Sequence, residues 1–145
     1  MSTIVQDVVA QLGGEAALGR ALRTDRDVET VIRKGFPQTV VAEIMRAAGL
    51  TLKELATSLD VSPRSLQRRR REGRLAKYES DRLYRLARVM ALATRSIGDA
   101  DKARRWLRRP NRALGGQAPL AVIDTEPGAR AVENVLGRIA YGGVS

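Results

Sequence analysis

Arg64, Ser65, Gln67, Arg68 and Arg71 fall within one eight-residue stretch and carry the chemistry that reads a DNA duplex. A glutamine amide bonds adenine in bidentate fashion, an arginine guanidinium does the same with guanine, and a serine hydroxyl reaches a base or a phosphate. The run Arg68-Arg69-Arg70-Arg71 cannot turn every guanidinium to one partner, because four successive helical side chains at about 100° each cover most of the circumference. Arg68 and Arg71 are therefore assigned to the groove or the DNA backbone. Catalysis has no comparable material. The chain contains no histidine and no cysteine, which removes the commonest general base and metal ligand together with thiolate sites and disulfides. No carboxylate pair is clustered either, so no catalytic residue, metal or cofactor is expected.

Reading residues need a helix held at a fixed angle, and the flanking sequence supplies one. Thr51 and Glu54 have the spacing of a capping box, after which Leu52, Leu55, Ala56 and Leu59 share one helical face. This first helix ends near Leu59. Asp60 tolerates a left-handed turn, Ser62 is the next N-cap and Pro63 is preset for the first helical position. The second helix then runs to Gly73. Two short helices joined this way form a helix-turn-helix over about 51–72, with small Ala56 where the helices approach and Leu55, Leu59, Val61 and Leu66 as its core. Two positions depart from the usual pattern: Asp60 replaces the turn glycine, and Arg69 stands where an aliphatic residue is ordinarily buried. A capped helical hairpin with a solvated basic face also fits these residues.

Charge distribution favours DNA. Residues 51–112 hold eighteen basic and seven acidic side chains, whereas residues 1–50 are balanced and residues 113–145 carry a net −1, so the middle holds all of the +10 excess. A basic block between neutral segments is the footprint of a polyanion-binding surface.

The scaffold reads as helix throughout. Aromatics are 3% of the chain, so a core must be built from Leu, Val, Ile and Ala. Apolar periodicity predicts helices over 3–12, 15–22, 25–34 and 39–48, broken at Gly13-Gly14, Phe36-Pro37 and Gly49. A helix over 79–96 places Leu83, Leu86, Ala87, Met90 and Ala93 on one stripe, with Ser80, Arg82, Arg85 and Arg88 outside it. A shorter one over 99–108 turns Ala103, Trp106 and Leu107 inward. Pro119 to Ile123 forms a short turn or helix. The last helix starts at Thr125 and runs to about Tyr141, with Ala129, Val132, Leu136, Ile139 and Ala140 on one face and Gly142-Gly143 ending it. No basic segment leads into an apolar one at the N-terminus, and no apolar run approaches the ~18 residues of a membrane span, so a cytoplasmic protein is expected.

Between those last elements lies "RPNRALGGQAPL", residues 109–120. It lacks the residues of a phosphate-binding loop. Pro110, Asn111, Leu114 and Pro119 impose and pack turns that a slack linker would not have, leaving a rigid corner between helices.

The segment "WLRRPNRALGGQAPLAVIDTEPGARAVENVLGRIAYG", residues 106–142, resembles the toxin-binding domain of the Xre-type antitoxins of RES-Xre toxin-antitoxin pairs, the Xre/MbcA/ParS group. The segment "SPRSLQRRRREGRLAKYESDRLYRLARV", residues 62–89, resembles the helix-turn-helix part of the same family. The expected fold is an all-α, multi-helix bundle in two parts, a DNA-binding and dimerisation region over 1–98 and a toxin-binding domain over 99–145; the resemblance covers the chain from about residue 50 to its end. It implies an antitoxin that blocks the active site of an NAD-consuming RES-domain toxin and represses its own operon by binding operator DNA. Carried over by position, the toxin-binding surface comprises Asn111, Arg112, Leu114, Gly115, Gly116 and Pro119 at the corner, then Arg138, Tyr141 and Gly142 at the end of the last helix. Arg138 or the terminal tail is expected to reach toward the toxin's pocket. Asn111 and the two glycines also suit a purely architectural role. A homodimer follows from the half-site logic of helix-turn-helix proteins. The competing reading is a stand-alone regulator whose C-terminal part serves dimerisation or effector sensing.

Overall fold

Side-chain caps mark where six of the described α-helices begin. Thr3, Thr24 and Thr51 each accept a hydrogen bond from the backbone N–H three residues on, and Gln6, Asp27 and Glu54 return the favour to the cap backbone. Ser62, Asp99 and Thr125 make the one-way version. Each such cap stabilises its helix by about 1 kcal/mol. The computed structural model describes residues 3–142. Its helices are α1 (Ile4–Gln11), α2 (Gly14–Leu18), α3 (Asp25–Lys34), α4 (Thr39–Ala48), α5 (Leu52–Ser58), α6 (Pro63–Glu72), α7 (Lys77–Ile97), α8 (Ala100–Arg108), α9 (Pro119–Val122) and α10 (Glu126–Ala140), with a 3-10 turn at Arg112–Leu114 before α9.

Helix α7, 21 residues long, is the axis: α1, α3, α4, α8 and α10 all pack on it. Its expected stripe, Leu83, Leu86, Ala87, Met90 and Ala93, is buried against Val5 and Val8 of α1, Val40, Val41 and Ile44 of α4, Ala103 and Leu107 of α8, and Ala129, Val132 and Leu136 of α10. One continuous apolar core therefore runs beneath both the helix-turn-helix and the C-terminal elements.

Several boundaries differ from the sequence expectation, each for a local reason. Helix α2 stops at Leu18 and does not continue to Leu22, because Gly19 turns left-handed with φ 78°. Leu22 is buried all the same. Helix α7 begins at Lys77, two residues early, because the Glu79 carboxylate accepts the Ala76 N–H at 2.7 Å and so ends the first turn. Ser80 is not on the outer face: it is fully buried, donates to the Ala76 carbonyl at 2.8 Å and accepts the Phe36 N–H at 2.7 Å. Val61 is only half-buried. At the other end, Ile139 is half-buried and still packs on the core whereas Ala140 is exposed, so burial thins out along the last turn of α10. The expected stop at Gly142-Gly143 is described only as far as Gly142, which is left-handed at φ 76°; Gly143 lies outside the described residues.

The link from α3 to α4 is laced to the end of α6. Gln38 N–H bonds the Gly73 carbonyl at 2.9 Å, Leu75 N–H bonds the Phe36 carbonyl at 2.9 Å, and Phe36 is fully buried. Gly35 makes this approach possible: its φ is +88°, and a Cβ there would sit 2.0 Å from the Leu75 carbonyl oxygen. The lacing fixes where α6 ends.

Candidate functional site

Helices α5 and α6 meet through a turn whose geometry the residue types anticipate. Asp60 is left-handed with φ 54°, among the described residues the single non-glycine with positive φ, and its neighbour Val61 donates to the Ala56 carbonyl at 3.0 Å. Leu55, Ala56, Leu59 and Leu66 are fully buried. Arg82 of α7 closes the turn from below: its guanidinium donates to the Leu59 carbonyl at 2.8 Å and lies 5.3 Å from the Tyr78 ring centroid. Nothing near the motif in sequence signals that contact.

On α6, Arg64, Gln67, Arg68 and Arg71 are exposed together. Ser65 is half-buried, its hydroxyl oxygen accepting from the Ser62 hydroxyl at 2.9 Å, so it acts as a brace for the N-cap with one hydroxyl proton left to offer. Arg68 pairs with Glu72 at 3.3 Å, but both side chains are about half exposed, and such a pair is weak enough for a phosphate or base to displace. Arg69, the departure at the aliphatic position, turns inward at 25% exposure and meets the fully buried Glu79 carboxylate at 3.1 Å. Glu79 also accepts from the Ala76 N–H and, at 3.3 Å, from the Tyr78 hydroxyl. An ion pair thus replaces the usual apolar contact and sets the rotation of α6 about its axis. The Glu79 carboxylate holds Arg69 above the ordinary arginine range. Sequence reading missed Glu79: with alanine at the cap position there is no capping-box pattern to flag it.

The C-terminal corner is rigid, as its residue types require. Asn111 N–H bonds the Gln117 carbonyl at 3.0 Å, the Asn111 carbonyl accepts from Leu114 and Gly116, and the Asn111 side-chain oxygen accepts the Ala113 N–H at 3.0 Å. Gly115 and Gly116 are exposed with φ of 68° and 84°, and a Cβ on either would meet nothing. Their role here is backbone shape. Pro119 is buried and Leu114 half-buried against the core, so of the expected corner surface Asn111, Arg112, Gly115 and Gly116 are the accessible members. Arg138 is exposed on the last turn of α10, Tyr141 is 92% exposed just beyond it, and Gly142 is also exposed. Trp106, expected to point inward, is half-buried: one part packs on the core and the rest lines an open hollow with Arg112 and Arg138.

Two arginines of α8 bind this unit to the helix-turn-helix. Arg104 donates to the Ala47 carbonyl at 3.0 Å; Arg108 donates to the Gly49 carbonyl and pairs with both oxygens of Glu54. They satisfy the open carbonyls at the end of α4 and grip the first turn of α5. Arg108, followed by the Thr51 backbone N–H, holds the Glu54 carboxyl at about 2 against its usual 4.5. Because the folded value is depressed, the contact contributes stability above about 4.5, and that contribution is lost as pH falls from there toward 2. Both partners are more than a third exposed, so the contribution is at most about 1 kcal/mol. Glu54→Gln is expected to lower the melting temperature at pH 7 and to flatten its fall between pH 4.5 and 2. An acid limb identical to that of the wild type would rule this contact out.

A reading helix set by an ion pair, sharing one core with a separate, rigidly cornered helical unit, defines a helix-turn-helix protein with an appended helical recognition domain. Residues 27–88 match the antitoxin Xre-like helix-turn-helix domain, and residues 91–142 match the antitoxin Xre/MbcA/ParS C-terminal toxin-binding domain. The chain belongs to the Xre/MbcA/ParS family of antitoxins. It is 36% identical to an antitoxin Xre of Photorhabdus laumondii over 81% of each chain. To an antitoxin Xre of Pseudomonas putida it is 34% identical, over 83% of this chain and 76% of the relative. The fold resembles a chain in the crystal structure of the Mycobacterium tuberculosis MbcT-MbcA toxin-antitoxin complex, with a TM-score of 0.58 and 27% identity over 74% of this chain and 96% of that one. The protein is thus an antitoxin and not an enzyme. The matched helix-turn-helix domain takes in α3 and α4, extending well N-terminal of the two-helix motif. Among the described residues no helix is long and apolar enough to cross a membrane.

Proposed function

We propose that this antitoxin binds a RES-domain, NAD-consuming toxin through its C-terminal unit and blocks the toxin's active site. Through α6 it binds operator DNA and represses its own operon. The observation that carries the toxin half is the last turn of α10: while its Ile139 packs on the core, its other face presents Arg138, followed by a Tyr141 that is 92% exposed, a guanidinium and an aromatic of the kind that anchor protein interfaces. Arg138 reaches toward the toxin's pocket; the tail beyond Gly142, the other expected candidate, lies outside the described residues. The MbcT-MbcA complex supports this arrangement by analogy. The DNA half rests on the exposed set Arg64, Gln67, Arg68 and Arg71, with Ser65 in reserve. A homodimer places two α6 helices on two half-sites.

Expressing the cognate toxin, which the reading requires to be a RES-domain protein, with and without the chain tests the first half. Cellular NAD should collapse with the toxin alone and hold when both are made; an equal collapse in the two cultures refutes the reading. For the second half, Gln67→Ala with Arg68→Ala should weaken binding to the chain's own upstream DNA by ~1 to 3 kcal/mol per lost base contact, while non-specific binding changes little. An unaltered sequence preference would move base reading off α6.

A further inference from the structure

The corner, α8 and the last turns of α10 enclose a hollow of about 400 Å³ lined by Trp106, Pro110, Asn111, Arg112, Val135 and Arg138 among others. We propose that this hollow is a socket for a carboxylate side chain of the toxin. The proposal rests on the toxin-binding reading and names the chemistry that the partner must bring.

Three observations point to it. Arg104, Arg108 and Arg130 pair with Asp101, Glu54 and Glu126, whereas among the described residues the guanidinium groups of Arg112 and Arg138 have no hydrogen-bond or ion-pair partner; those of Arg105 and Arg109 lack one too but do not line the hollow. No Asp or Glu lines the hollow to neutralise them. The polar groups that remain are donors. The Asn111 side-chain oxygen is occupied by the Ala113 N–H, which leaves its NH2, and the indole of Trp106 can only donate. A wall of donors with two uncompensated cations calls for a ligand that only accepts and carries negative charge.

Phosphate also meets that description, but the shape and surroundings do not suit DNA. Trp106, Pro110 and Val135 give the hollow apolar walls, which match the methylenes of an aspartate or glutamate entering from a protein surface. A duplex backbone stays on the outside of such a recess. Low-dielectric walls strengthen the field at the arginines, and a buried charge pair at the centre of an interface governs the dissociation rate.

Both arginines are exposed, so charge reversal should leave the fold intact, which a thermal melt checks. With the purified full chain and a catalytically inactive form of its cognate RES-domain toxin, Arg112→Glu and Arg138→Glu should each weaken toxin binding by about 10- to 100-fold, with operator affinity unchanged. Reversing toxin carboxylates to arginine one at a time should find a position that weakens binding to the wild-type chain and restores binding to the reversed one. Normal affinity in both variants overturns the socket while leaving the toxin reading standing. Failure of the wild-type chain to bind the toxin overturns that reading and the socket together. A loss of operator affinity with toxin binding intact makes the hollow a phosphate site and overturns the assignment to protein.

Discussion

Replacing Gly128 by alanine is expected to destabilise the protein by about 3 kcal/mol or more and to lower its melting temperature by about 10 °C. Gly128 lies in the first turn of α10, where its N–H is held by the Thr125 hydroxyl at 3.1 Å. A Cβ at this position would stand 1.7 Å from the Val122 carbonyl oxygen and 2.8 Å from its carbon, both backbone atoms of α9. No rotamer change relieves such an overlap, so α9 or α10 has to move. Moving α10 withdraws Ala129, Val132 and Leu136 from α7, and the core they share with α1, α4 and α8 loosens with them. Unfolding should remain one cooperative transition, and toxin and operator binding should fall off together with temperature. Gly137→Ala is the internal control. It sits in the same helix with nothing within 4 Å of its added Cβ, and there alanine should stabilise by up to about 1 kcal/mol. Thermal melts of the two variants therefore shift in opposite directions; a Gly128→Ala protein as stable as the wild type would show that α9 does not abut α10 as described.

The second large effect is expected at Arg69. Arg69→Ala leaves the fully buried Glu79 carboxylate with the Ala76 N–H and the Tyr78 hydroxyl alone, and removing one member of a buried ion pair is far costlier than removing both. A loss of about 2 kcal/mol in denaturant unfolding is expected, at the low end for buried pairs because Arg69 is itself a quarter exposed. Arg69→Leu combined with Glu79→Leu should recover most of it, since apolar packing is what this position ordinarily uses. Sequence-specific DNA binding should fall in Arg69→Ala beyond what the stability loss explains, because the pair fixes which face of α6 is presented. If the alanine variant is as costly as the double leucine variant, the ion pair is not what holds α6 against α7.

Local signals explain why so much of this molecule was legible beforehand. A capping box such as Thr51 with Glu54, a left-handed Asp60, a proline after Ser62 and a left-handed Gly73 each act within a few residues of chain, so α5, α6 and the turn between them could be placed from residue types. The stripe on α7 and the cornered segment at 109–120 were legible for the same reason: periodicity and turn chemistry do not depend on what packs against them. The glycine at 19 shows where this ends. Its sequence context is no stronger a stop than others nearby, yet it ends α2, and Leu22 is buried from a segment outside any helix.

What the sequence determined by itself, then, was an all-helical chain, a basic helix-turn-helix at 51–72, the absence of the residues that hydrolytic or metal chemistry uses, and a C-terminal segment of a recognisable antitoxin type. Tertiary structure alone decided which charges are spent on architecture and which remain for partners. Arg69, Arg82, Arg104 and Arg108 read as members of one basic block, but they reach Glu79, Leu59, Ala47 and Glu54, contacts made across the fold. Arg112 and Arg138, 26 residues apart in the chain, meet at one hollow without an acid between them. A side chain's charge is fixed by its identity, whereas the groups within a few ångströms of it, which decide whether that charge is satisfied, are set only when distant helices pack.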